Sequence, residues 1–196
     1  MTRGPVNVRQ DNNIREKGEN VMQKHRVSWF AFAAAILAYT PYAHAQAPAP
    51  VPEAMPFDIP YGAPIGLDTA QKAITAAEAE AKKHNWKMAI AVVDPAGQLI
   101  AEATMDGTQY GSIEFAQAKA RITAGLRRPS KVFADSINGG SPAGLSIVIL
   151  ERGGAAEGGF PIVVDGKLIG AIGASGGLGA QDGVTAKAGL DAVTAH

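Results

Sequence analysis

The chain has 196 residues, no cysteine, equal numbers of Lys/Arg and Asp/Glu, and 46% apolar residues. The length suits one domain with appendages, and the apolar share supports a core without covalent staples. Disulfide frameworks and zinc–thiolate sites are excluded, and the mildly acidic balance beyond the basic first 45 residues argues against a nucleic-acid partner.

Residues 22–45 have the order of a secretory signal peptide. Lys24 and Arg26 give a basic start, Trp29–Tyr39 is an apolar run, and Ala43-His44-Ala45 is a small-residue cleavage site. The run is too short to span a bilayer comfortably and has no basic stop-transfer flank, so cleavage after Ala45 is expected rather than stable membrane insertion. The expected location is periplasmic or secreted, which a cysteine-free chain suits. Residues 1–21 lie upstream of this pattern, and translation is expected to start at Met22. Residues 46–66 form a Pro-rich, extended lead with no core of its own, and the domain proper is expected over 67–196.

Within the domain, Leu67, Ala70, Ile74, Ala77 and Ala81 recur at helical spacing through Asn85. Asp68 and Gln71 have capping-box spacing, with Gly66 as the alternative cap. Met88–Val93 is a nearly continuous apolar run, which predicts a central strand covered on both faces. Asp94-Pro95-Ala96-Gly97 is a turn, and Gln98–Thr104 is the returning strand. Ser112 is expected to cap a helix to Leu126, with Arg127 and Arg128 complementing its C-terminal dipole and Pro129 ending it. A short helical turn capped by Ser130 and running to Ile137, and a third, edge strand at Leu145–Leu150, follow.

Phe160–Val164 and Lys167–Gly173 then flank Asp165-Gly166. That pair predicts a type I′ hairpin, because both central positions need positive φ. Beyond lies a glycine-rich loop, Gly173-Ala174-Ser175-Gly176-Gly177, and a last helix over Asp182–Thr194. The loop fits G-x-S-x-G, but the only histidines past residue 45 are His84 and the terminal His196, and neither sits in a triad order. It lacks the Gly-Lys-Ser/Thr of a phosphate loop. Two readings stay open: an anion site at the last helix's N-terminus, or close strand-to-helix packing. The sequence order points to an α+β protein with helices packed on an antiparallel sheet.

Met105–Lys131 (MDGTQYGSIEFAQAKARITAGLRRPSK), Glu157–Gly176 (EGGFPIVVDGKLIGAIGASG) and Gln181–Val193 (QDGVTAKAGLDAV) resemble the GlcG/HbpS, or haem-degrading, family. Ala89–Gly107 resembles its first hairpin, and Pro60-Tyr61-Gly62 its exported branch. The resemblance implies a profilin-like α/β/α sandwich around a five-stranded antiparallel sheet, homo-oligomeric, with haem or a related tetrapyrrole as ligand. Ile122 departs from it, standing where the family usually has threonine, with Thr123 next.

Under that resemblance Arg127, Arg128 and Lys131 are candidate partners for haem propionates, since guanidinium groups pair with carboxylates. Lys119, Thr123 and Ser130 belong to the same stretch and are candidate haem contacts. An axial donor would come from His84, Met105, Tyr110 or the terminal His196, Met88 reading as core. For His84 the competing reading is a solvated helix end, and for the arginines it is dipole complementation. No histidine pair has metal-site spacing. Two other classes compete with a haem binder: an enzyme or binding module for a small carboxylated metabolite, and an oligomeric module without ligand.

Overall fold

The computed structural model describes residues 51, 53–55, 57–141, 146 and 153–195. The signal-peptide segment, His196 and the expected strand Leu145–Leu150 apart from Ser146 lie outside the described residues, and Ser146 is helical rather than extended. All described residues but Val51 belong to the unit Pro52–His196. The elements are α1 (Leu67–Lys83), β1 (Ala89–Val93), β2 (Leu99–Thr104), α2 (Gly111–Leu126), α3 (Lys131–Asn138), β3 (Gly159–Val164), β4 (Lys167–Ser175) and α4 (Gly179–Thr194).

The strands pair antiparallel in the order β2-β1-β4-β3. Four strands, not five, therefore make the sheet among the described residues. β1 is buried at every position, as a strand with helices on both faces must be. Its alternation divides the core. Ile90 and Val92 join Met88, Ile162 and Ile172 in a cluster with Ala70, Ala73, Ile74 and Ala77 of α1 and Ala186 of α4. Ala89 and Ala91 cluster with Ala116 of α2, and Val93 with Ala120, Ala124 and Ala171. The result is a three-layer sandwich, with α1 and α4 on one face and α2 on the other.

The Asp165-Gly166 turn forms as its chemistry predicts, with φ of 50° and 72°. In the first hairpin, Asp94 Oδ1 accepts from the N–H groups of Ala96 and Gln98 at 2.8 and 2.9 Å, an Asx turn that fixes the reversal.

Of the two caps open for α1, Gly66 is the N-cap and Asp68 is not, and no side chain caps it. Two other capping expectations are corrected. Ser112 lies inside α2 and fully buried, because the chain already turns at Gln109 and Tyr110. Ser130 stands at the N-cap of α3, but its backbone is helical and its hydroxyl faces β3 instead.

The end of the Pro-rich lead is part of the fold. β1 stops opposite Ala171, which leaves one side of Lys167–Gly170 open. Pro60–Ile65 fills it: Leu168 N–H donates to Pro60 O (2.9 Å), Gly62 N–H to Leu168 O (2.7 Å) and Ile65 N–H to Ile169 O (2.8 Å). Tyr61 pairs with Leu168 in parallel, and Ile65 joins the larger core cluster.

Candidate functional site

The glycine-rich loop after β4 is closed by its own chain. A Cβ on Gly176 would overlap the Lys87 carbonyl oxygen. Gly177 N–H donates to Asp182 Oδ1 at 3.0 Å, and Leu178 N–H donates to Gln181 Oε1 at 2.8 Å. Helix α4 thus satisfies the loop amides with its own first-turn side chains, which decides for close packing over an open anion site. Ser175 is buried at the end of β4, and His84 is held by Glu80, so among the described residues no histidine pairs with this serine.

Beneath this loop lies an ion pair that the sequence did not announce. Lys119 Nζ stands 2.6 Å from Asp182 Oδ2 and donates to Ala174 O at 3.0 Å, and the two side chains are 3% and 4% exposed. Burial pushes the Asp182 carboxyl above its ordinary value, while Lys119 and the amides of Gly177 and Gly176 pull it partly back. The pair needs Gly158, φ 124°, because a Cβ there would lie 3.1 Å from Lys119 Nζ and 2.8 Å from Asp182 Cβ. Lys119 is therefore a tie between α2, β4 and α4, not a cation facing a ligand.

Ser130 is held the same way. Its hydroxyl donates to Ala156 O at 2.5 Å and accepts from Gly159 N–H at 2.8 Å, which pins α3 to the start of β3. Thr123 is fully buried with no hydrogen-bond partner for its hydroxyl, which a Cβ on Gly159 would approach at 2.5 Å.

The remaining cations divide. Arg127, in the left-handed conformation at φ 55°, donates to Ile59 O at 3.1 Å. It also lies 3.6 Å from Asp58 Oδ1 and over the Tyr61 ring at 5.4 Å. Arg128 lies near two rings, 4.3 Å from the centroid of Phe57 and 5.5 Å from that of Phe133. Lys131 is exposed and hydrogen-bonded to Asp135 at 2.7 Å, which holds its ammonium above the ordinary value. Arg127 and Arg128 thus both meet the lead, and Lys131 lines a cavity that neither arginine borders.

That cavity, about 350 Å³, lies between α3 and the chain entering β3, with Ala134, Ile137 and Ala155 as apolar wall and Lys131, Asp135 and Glu157 as charged groups. A second, of about 610 Å³, is lined by Glu80, Glu157, Phe160, Val184 and Lys187 among others. A third, of about 300 Å³, lies by Trp86, Lys87, Gln109 and Gln181. Glu157 borders the first two. It was missed in the sequence, where only its place before two glycines marks it.

Among the described residues, none of the axial candidates lines these cavities. His84 stacks on Trp86 with centroids 4.3 Å apart, its Nε2 3.2 Å from Glu80 Oε1. Met105 packs partly buried against the core, and Tyr110 is 92% exposed. Among the described residues, no group of three or more His, Cys, Asp or Glu could hold a metal ion, and no helix is long and apolar enough to cross a membrane. Among the described residues, Lys131 and Lys187 offer these cavities cations for a tetrapyrrole's carboxylates, and Ile137, Phe160 and Val184 offer apolar walls for its ring, while Arg127 and Arg128 line none of the three.

Sheet order and helix placement define an α+β sandwich protein of the three-layer kind. More narrowly, residues 65–191 match the family described as "Haem degrading protein HbpS-like", and the chain belongs to that GlcG/HbpS family. It is similar to Protein GlcG of Escherichia coli K12, 42% identical over 111 residues, covering 57% of this chain and 81% of that one. Among solved structures it resembles Klebsiella pneumoniae ORFY, with a TM-score of 0.64 and 26% identity over 76% of this chain and 99% of the other. A double mutant of HbpS from Streptomyces reticuli gives a TM-score of 0.60 and 27% identity, over 77% and 100%.

Proposed function

We propose that this is an exported protein that binds haem or a related tetrapyrrole, acting in sensing, carriage or sequestration. The observation that carries the reading is membership of the haem-degrading HbpS-like family across residues 65–191. The signal-peptide pattern over 22–45 supports export, and β2 and β3, the outer strands of the sheet among the described residues, support a homo-oligomer, since backbone groups on an outer strand need covering. Burial of the apolar macrocycle supplies most of the affinity, and the guanidinium groups of Arg127 and Arg128 orient it through its carboxylates. Haem, when bound, supplies whatever redox chemistry follows; the chain's own residues bind and orient it.

Haemin titration of the purified protein tests this. The expected result is a Soret shift saturating at one site per subunit, weakened about tenfold in Arg128→Ala, the loss of one charged hydrogen-bonding partner. His84→Ala should leave the spectrum unchanged, because its ring is held by Trp86 and Glu80. Absence of a saturable shift removes the reading. A second reading, a binder of or enzyme for a small carboxylated metabolite, is favoured by the Lys131 cavity, whose 350 Å³ lies at the small end of ligand sites. Under it Lys131→Ala, not Arg128→Ala, abolishes binding.

A further inference from the structure

The two arginines expected to meet a ligand's carboxylates are covered by the chain's own lead. Arg127 meets the Ile59 carbonyl, the Asp58 carboxylate and the Tyr61 ring. Arg128 meets the Phe57 ring. Every one of these lead groups lies within residues 57–61. We propose that Arg127 and Arg128 form a carboxylate-binding pair for a planar aromatic ligand, and that residues 57–59 are a displaceable cover occupying it.

The cover and its stem differ in how they are held. Pro60–Ile65 is anchored to β4 by three backbone hydrogen bonds, and Tyr61 adds one from its hydroxyl to Gly125 O at 3.1 Å. Among the described residues, Phe57, Asp58 and Ile59 make no backbone–backbone hydrogen bond, and only the Ile59 carbonyl is engaged, by Arg127 itself. Asp58 is 77% exposed on its side chain, so its pairing is screened by water. Phe57 holds φ at 62°, a conformation disfavoured for any residue with a Cβ. The cover is thus a weakly held flap on a firmly held stem.

Its chemistry also names what replaces it. The flap presents an aromatic ring to the face of Arg128 and a carboxylate to Arg127. A flat aromatic molecule carrying carboxylates offers both groups at once, without the strained backbone. The proposal rests on the tetrapyrrole reading above and adds its control: the apparent affinity is lowered by the fraction of molecules in which the flap is down. Because each flap contact is a partly exposed one, that reduction is modest, about fivefold.

The test uses the full chain with two probes, haemin and haemin dimethyl ester, whose carboxylates are blocked. The Phe57→Ala/Asp58→Ala variant should bind haemin about fivefold more tightly, and the gain should vanish when Arg128→Ala is added. In the unaltered chain, haemin but not its dimethyl ester should speed chymotrypsin cleavage after Phe57. Both substituted residues are at the surface, so an unchanged melting temperature confirms the variant is folded. Saturable haemin binding with equal affinity in both chains, and no change in cleavage, overturns the flap while leaving the tetrapyrrole reading standing. No haemin binding by either chain overturns both.

Discussion

The two faces of the sheet are built to different tolerances. Toward α1 and α4 the sheet presents Met88, Ile90, Val92, Ile162 and Ile172, long side chains against the small ones of Ala73, Ala77 and Ala186. Toward α2 it presents Ala89, Ala91, Val93, Ala171 and Gly173 against Ala116, Ala120 and Ala124. There, backbone lies on backbone: a Cβ on Gly173 would overlap the Ala116 carbonyl oxygen and lie 2.7 Å from Ala120 N. Long side chains can change rotamer to absorb a misfit, whereas two backbones in contact cannot. The face with fewer carbon atoms is therefore the more demanding one.

The largest effect should come from the pair that joins the layers. Asp182→Ala strands a buried Lys119 ammonium and should cost about 3–5 kcal/mol, while Lys119→Met/Asp182→Leu should come close to the unaltered stability. Denaturant unfolding of both variants checks this, and a single variant no worse than the double one would deny the pair its structural role. The same carboxyl sets a pH slope. Its folded pKa lies above the ordinary value, so folding takes up a proton just above the usual carboxylate range, and stability falls as pH rises through that window. Asp182→Asn should flatten this part of a melting-temperature profile, on the alkaline side of the usual carboxylate range.

Next comes the tight face itself. Gly173→Ala adds one methyl and should cost about 2–3 kcal/mol, because only backbone movement can make room. The turn is less exacting: Gly166→Val should cost about 1–2 kcal/mol from strain at positive φ, since nothing lies near its missing Cβ. Smallest is Ile90→Val on the accommodating face, at about 0.5–1.5 kcal/mol. If Ile90→Val proved as costly as Gly173→Ala in melting experiments, the contrast between the faces would be lost.

Local signals carried well from sequence to structure. The Asp165-Gly166 turn, the buried β1 run and the α1 stripe through Ala70, Ile74, Ala77 and Ala81 all depend on spacing within one element, and all stand. Leu67, counted in that stripe, is exposed at the helix start. What sequence could not show is pairing at a distance. Lys119 and Asp182 are 63 positions apart, and nothing local distinguishes an interior lysine on α2 from a surface one. Arg127 looked like a dipole partner or a ligand cation because the segment that meets it lies 68 positions upstream. Ser112 failed as a cap for a smaller reason, since Tyr110 already has helical dihedrals and the helix has begun.

The order β2-β1-β4-β3 has a consequence for how the chain reaches this form. Each outer pair is a hairpin between neighbours in sequence, β1 with β2 and β3 with β4. The middle pair is different: Ala89 lies opposite Ser175, so β1 and β4 meet only after the chain between them, α2 and α3 included, has been closed into a loop. Short hairpins form in microseconds, while a distant pairing waits on loop-closure entropy. Folding speed is then governed by one seam, where two hairpins assembled early have to find each other in register, and substitutions at the Gly173 surface slow that meeting while those in either turn leave it alone.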